Sequence, residues 1–206
     1  MYSDILIIGA GGAGLTAALN AQEEGVSVRV LTKEYPTRSQ TCMAQGGINA
    51  ALGNNGEDST ESHVQNTLKS AQGMANVEAV RHLCESAPEV VAWLDSIGVC
   101  FSRTKDAKIA QRSLGGASSP RACYAQDYTG LKILHTLYDQ CLAKEIEIRN
   151  EKFLLEILKT DERVYGASVL DIRTGEVEVY EAKSVILATG GYSRIYDKYS
   201  TNSTAS

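Results

Sequence analysis

The hydrophobic and polar positions change rhythm along the chain, and each change predicts an element. Residues 4–8 (DILII) are a short apolar run of the kind buried in parallel strands. The turn GAGGAG follows at 9–14. Residues 15–24, rich in Ala and Leu, predict a helix stopped at Gly25, and 26–31 (VSVRVL) predict a second strand. Helical spacing returns over 57–72, and Asn76 is placed to cap another helix. SAPE at 86–89 reads as a capping box with proline in the first turn, opening a helix through Trp93 to residue 97. Over 129–143, Leu131, Leu134, Leu137, Tyr138, Cys141 and Leu142 share one stripe. From Ile146 the pattern turns to strands. Residues 151–159, 164–173 and 176–181 predict a meander with turns at 160–163 and 174–175, and 184–188 predict a separate last strand. The class is α/β, with a parallel sheet, a β-meander and helices.

Two stretches carry no period, 37–54 and 102–127. Irregular segments this long inside a globular chain are usually functional or disordered. The chain has 206 residues, 43% hydrophobic and 22% charged, enough for one domain with a core, or one domain and part of another. A net charge of −5 speaks against a nucleic-acid partner, which rewards basic patches. The longest apolar run, 5–19, is broken by glycines and too short to span a bilayer, and the start, MYSDIL, lacks the basic region of a signal peptide. Five cysteines without a CxxC pair read as reduced thiols of a cytosolic protein, and no metal or iron–sulfur ligation is expected from them.

The glycine turn gains weight from its setting, with a strand before it, a helix after it and a second strand beyond. Gly9 permits the tight turn, Gly11 and Gly12 let a pyrophosphate approach bare backbone beside Ala13, and Gly14 lets helix and strand pack closely. The helix N-terminus then supplies N–H donors and positive potential for phosphates. The acidic residue that normally holds a ribose is displaced: Thr32 and Lys33 end the second strand, and Glu34 comes late. A lysine there is compatible with the 2′-phosphate of NADP. The choice between dinucleotides turns on the segment that follows.

That segment, TRSQTCMAQGGINAALGN at 37–54, resembles the flavin-holding stretch of the flavoprotein subunit of succinate dehydrogenases and fumarate reductases. The resemblance runs on through GVCFSR at 98–103, LGG at 114–116, DYTG at 127–130, LHTLY at 134–138 and ATGG at 188–191. Several motifs in the right order are far more specific than any one. The resemblance implies a Rossmann-like FAD-binding domain over 1–206 that is incomplete at its C-terminus. A capping domain, a TGDG flavin motif and the proton-delivering arginine would lie beyond Ser206.

It implies site residues too. Ser39 and Thr41 offer hydroxyls to the flavin or its ribityl chain. Gln45, Gly46 and Gly47 bring bare backbone against the ring, and Ala188, Thr189 and Gly190 form a second FAD-binding strand end. Phe101 and Arg103 are the substrate-side candidates, although Phe101 alone reads more readily as core. Arg121 could meet an anion or form a surface salt bridge. The histidines His63, His82 and His135 fall on predicted helices and form no metal pair. Gln40 stands where the family commonly carries the histidine bonded covalently to FAD, so non-covalent FAD is expected here. The implied activity is interconversion of succinate and fumarate, as in the tricarboxylic acid cycle or anaerobic respiration. Electrons would pass to an iron–sulfur subunit and to membrane-anchor or other electron-transfer subunits. The expected location is cytoplasmic, with any membrane contact made through partners. L-aspartate oxidase, which also lacks covalent FAD, and a non-catalytic dinucleotide-binding fragment are the alternatives.

Overall fold

A computed structural model describes residues 1–191. In chain order it contains β1 (Tyr2–Ile8), α1 (Gly12–Glu23) and β2 (Val28–Leu31), then two single 3₁₀ turns, Pro36–Arg38 and Gln40–Met43. β3 (Ile48–Asn49), α2 (Thr60–Ser70), α3 (Val77–Ser96), β4 (Gln111–Arg112), β5 (Ala122–Cys123) and α4 (Thr129–Ala143) follow. The described chain closes with β6 (Glu147–Arg149), β7 (Lys152–Lys159), β8 (Val164–Asp171) and β9 (Val177–Leu187). The polar stretch 201–206 lies outside the described residues.

Contacts divide the chain into two compact units, one made of residues 1–43 with those from 134 onward, the other of 44–133. The first holds a six-stranded sheet in the order β6-β2-β1-β9-β8-β7. β1 pairs in parallel with β2 and β9, β2 in parallel with β6, and β7, β8 and β9 form the antiparallel meander. Its core joins Leu6, Ile8 and Leu31 to Ala167, Val169, Tyr180 and Ala182. Leu15, Ala18 and Leu19 of α1 and Leu134, Leu137 and Cys141 of α4 are buried as well. Asp4 locks the strand starts together by accepting from the Ser27 N–H at 2.9 Å and the Ser27 hydroxyl at 2.7 Å.

The second unit holds a small antiparallel sheet, β3-β5-β4, and the helix pair α2 and α3. Gln111 ties the sheet to its loops, since its buried amide donates to Ala50 O at 2.8 Å and Arg121 O at 3.0 Å. The segment 102–127, irregular in the sequence, is ordered by such non-local bonds.

Four expectations are corrected. The capping box at 86–89 opens no helix; α3 runs unbroken from the Asn76 cap with Pro88 inside it. Burial of Val80, Cys84, Val91 and Leu94 along one stripe outweighs the roughly 3 kcal/mol cost of an internal proline. Residues 176–181 and 184–188 are one strand, β9, because its early part pairs with β8 and its later part pairs in parallel with β1. The ends of the α4 stripe, Leu131 and Leu142, are exposed. Arg121 forms no surface bridge: its guanidinium and the Asp58 carboxylate meet at 2.8 Å with side chains 1% and 2% exposed.

Candidate functional site

The C-terminal ends of β1, β2 and β9 converge on a cleft of about 510 Å³ in the first unit. Parallel strands carry their ligands at this end of a sheet. Gly9, Gly11, Gly12 and Ala13 line it from one side and Thr32 and Lys33 from another. Ser39, Gln40 and Thr41 come from the 3₁₀ turns, and Ala188, Thr189 and Gly190 from the exit of β9. Twelve of the sixteen cofactor residues expected from the sequence are thus brought to one cleft.

The glycine turn works by close approach. Gly9 has φ +109°, and a Cβ on it would lie 2.2 Å from Ala188 O; a Cβ on Gly14 would lie 1.9 Å from Gly9 O. Gly14 therefore stands behind the cleft and sets helix against turn. Gly11 differs, since a Cβ there would meet only Thr41 and Ser39 side chains at 3.5 to 3.7 Å. Its bare backbone leaves room on the cleft side.

The first N–H groups of α1 have no carbonyl within their own helix. Gly11, as N-cap, has no side chain to offer, and Thr41 replaces it across 29 residues by accepting from the Gly12 N–H at 3.0 Å. No acidic residue sits in the first turn, so the positive end of the helix dipole is uncompensated. The Ser39 hydroxyl is buried without a hydrogen-bond partner. An orphaned hydroxyl costs about 1–3 kcal/mol and calls for a ligand atom or a water. A glycine-walled helix N-terminus, a free hydroxyl and an elongated cleft together suit the diphosphate and polyol of a dinucleotide.

The sequence missed part of this cleft. Lys152, Phe153 and Leu154 line it from the start of β7, and Tyr35 lines it beyond β2, next to the Glu34 already noted. Lys152 is 7% exposed and held by Asp171 at 2.6 Å and Glu178 at 2.7 Å. Burial works against the Lys152 charge, but the bonds to Asp171 and Glu178 outweigh it and raise its pKa, while the lysine holds both carboxyls low. Burial, and then its bond to Glu178, pushes the Tyr180 phenol up. No motif announced this network. The sequence offered only a lysine at the second position of the strand expected over 151–159.

The remaining expected residues lie in the second unit. Gln45, Gly46 and Gly47 lead into β3, anchored by the Gly130 N–H to Ala44 O at 2.7 Å. A Cβ on Gly47, at φ +130°, would lie 2.6 Å from Cys123 O. Arg112, absent from the sequence-based expectations, donates to the carbonyls of Gln45 and Gly46. Phe101 is 4% exposed and part of the core, and Arg103 is bound to Asp95 of α3. His63 is buried, with its pKa lowered by burial and then by the charge of Arg121.

The five cysteines are free. Burial pushes the Cys123 thiol up to about 11 and the Cys141 thiol to about 12, so neither is a thiolate near neutral pH. Among the described residues no group of three or more His, Cys, Asp or Glu could hold a metal ion. No helix among them is long and apolar enough to cross a membrane.

Comparison with known proteins agrees with this geometry. The family model described as an FAD binding domain matches residues 4–206. The succinate dehydrogenase flavoprotein subunit of Rickettsia felis is 41% identical over 201 residues, covering 94% of this chain and 34% of the relative. The 8-methylmenaquinol:fumarate reductase flavoprotein subunit of Wolinella succinogenes is 40% identical over 195 residues, covering 94% and 32%. Among solved structures, Sdh1 of Mycobacterium smegmatis in complex with UQ1 superposes with a TM-score of 0.93 at 34% identity, over 100% of this chain and 36% of that one. The chain spans about a third of the length of the curated relatives it matches. It belongs to the FAD-binding-domain family and is related along nearly all its length to the flavoprotein subunits of succinate dehydrogenases and fumarate reductases.

Proposed function

We propose that this chain is the FAD-binding part of a flavoprotein subunit that interconverts succinate and fumarate. The carrying observation is the glycine-walled cleft at the strand ends, with its free Ser39 hydroxyl and uncompensated helix N-terminus. The relatives' names support the substrate pair. Bound FAD supplies the acceptor or donor for a hydride exchanged with a dicarboxylate carbon. The Gly11 to Gly14 backbone and the Thr41-capped helix end hold the diphosphate, and Thr32 and Lys33 flank the ribose. Ser39 donates to the ribityl chain. Ala188, Thr189 and Gly190 close the second strand end. Residues 1–206 form the N-terminal part of one FAD-binding domain, completed by a capping domain that carries the acid machinery. Electrons pass to an iron–sulfur subunit, and membrane contact is made by partner subunits.

Gln40 lines the cleft, and the family resemblance implies a linking histidine at its position. An amide is no nucleophile, so FAD is held non-covalently. Without an electron-withdrawing attachment the ring is a weaker oxidant, which favours fumarate reduction. Acid precipitation of the loaded protein releases the yellow colour; colour that stays with the pellet refutes this. The activity is tested with the full-length polypeptide under anaerobic conditions: succinate bleaches the flavin and fumarate restores it. Bleaching by L-aspartate instead identifies an aspartate oxidase, and bleaching by neither rejects the assignment. The 206-residue chain by itself turns over neither dicarboxylate.

A further inference from the structure

The core face of the meander carries charge at the end nearest the cleft. Residues two apart share a face of a strand, so Asp171 continues the buried row of Ala167 and Val169 on β8, and Glu178 that of Tyr180 and Ala182 on β9. Lys152 pairs in register with Asp171 across β7 and β8. Its ammonium meets Asp171 at 2.6 Å and Glu178 at 2.7 Å, and the Tyr180 hydroxyl donates to Glu178 at 2.7 Å. Charges on a core face are rare unless paired, and a buried ion cluster seldom stabilises a fold more than apolar side chains of the same volume would. The cluster therefore asks for a reason other than stability.

Its place supplies one. Lys152 lines the cleft beside Thr32, and its N–H donates to Thr32 O at 3.0 Å. The end of the second strand is where this kind of fold holds the ribose of a dinucleotide, and a cation there accommodates a 2′-phosphate. Lys152 is such a cation by position, but two carboxylates occupy it. Arg29 and Arg149, further along, are both paired with Glu147 at 2.6 Å. Three cations thus meet three carboxylates, and on the opposite wall Glu34 follows Lys33 into the cleft. A 2′-phosphate, with about −1.5 to −2 charges, would lose water here without gaining a surplus of positive charge. We propose that the Lys152–Asp171–Glu178 cluster is the specificity element of this cleft, admitting an adenosine ribose with a free 2′-hydroxyl and refusing a 2′-phosphate. This rests on the proposed FAD function and closes the NADP alternative that Lys33 left open.

The test is calorimetric titration of the full-length, cofactor-free protein with ADP and with its 2′-phosphorylated counterpart, near pH 8 and at a temperature where each variant is folded. The wild type is expected to prefer ADP by about tenfold or more. Glu178→Gln keeps the shape and an acceptor for Lys152 but removes one negative charge, so the preference should shrink by about fivefold. Lys152→Met removes the positive charge, so the preference should grow by a similar factor. A role confined to holding the meander together would not move the ratio in opposite directions. If Lys152→Met fails to fold, Glu178→Gln decides alone. A wild type that binds both nucleotides alike overturns the proposal, as does a wild-type ratio in Glu178→Gln. Two folded variants that shift the ratio the same way also overturn it, because they report damage to the wall rather than charge. A wild type that takes up neither FAD nor ADP overturns both this and the proposed function. A wild type that discriminates as expected but is not bleached by succinate once loaded with FAD rejects only the substrate.

Discussion

Gly14→Ala and Gly11→Ala, six and three residues beyond the end of β1, are expected to fail in opposite ways. At Gly14 the new methyl carbon would sit 1.9 Å from Gly9 O and 3.4 Å from the Ala188 Cβ. The obstructing atom is a backbone carbonyl whose own N–H is bonded to Leu31 O at 2.7 Å, so it cannot swing aside. α1 must move by about 1 Å, against packing that tolerates little change of volume, at a cost of about 3 kcal/mol. For a chain of this size that lowers the melting temperature by roughly 10 °C. At Gly11 the methyl would meet Thr41 Oγ1 at 3.5 Å, an ordinary contact, and the residue's φ of −78° suits alanine. Stability there should change by less than about 1 kcal/mol. The methyl would, however, occupy the space where a diphosphate must approach, so FAD affinity should fall by roughly five- to a hundredfold, by analogy with overpacking costs of about 1–3 kcal/mol. The assays are thermal and urea unfolding of the cofactor-free protein and FAD titration of the folded variants. An unfolding curve for Gly11→Ala as damaged as that of Gly14→Ala, or wild-type FAD affinity in Gly11→Ala, would refute the division between packing glycine and ligand glycine.

Other substitutions probe the supports. Thr41→Val keeps the shape but removes the acceptor for the Gly12 N–H; cofactor-free stability should drop by about 1 kcal/mol in urea unfolding, as for a lost cap. Arg121→Met leaves the Asp58 carboxylate buried without its partner and should cost about 3–5 kcal/mol by the same measurement. Lys152→Met leaves Asp171 and Glu178 facing each other without a cation. Both carboxyls have lowered pKa values in the folded wild type, so their contribution is present above the ordinary carboxylate range and lost as the pH falls through their folded values. The gap in melting temperature between wild type and Lys152→Met should therefore be widest at neutral pH and close below about pH 4. An equal gap at pH 7 and pH 3 would show that the network's charge is not what stabilises it.

Local chemistry made the start of the fold and the heart of the cleft legible. A five-residue apolar strand, a glycine turn and an Ala-rich helix are each specified within a few neighbours, and Gly9 and Gly14 take up the turn and packing tasks their positions implied. Asn76 caps α3 as its place before a helical run suggested. Periodicity misled where distant burial outweighed a local signal. Pro88 looked like a helix start because its missing N–H is harmless there, yet the apolar stripe on either side carried α3 straight through it. The pause at Ala182 and Lys183 looked like a strand break, yet β9 continues through it by changing partners.

The sequence by itself determined the strand–turn–helix–strand opening, the bare backbone at the cleft and the amide side chain at Gln40. Those depend on backbone freedom and side-chain chemistry, which belong to single residues and their neighbours. Only the tertiary structure decided that Thr41 caps α1, that Lys152 joins the cleft wall, that Arg121 is buried with Asp58 and that Arg112 grips the carbonyls of Gln45 and Gly46. Each joins residues far apart in the chain, through hydrogen bonds that buried polar groups must make somewhere, and the choice of partner depends on which elements the whole fold brings within reach.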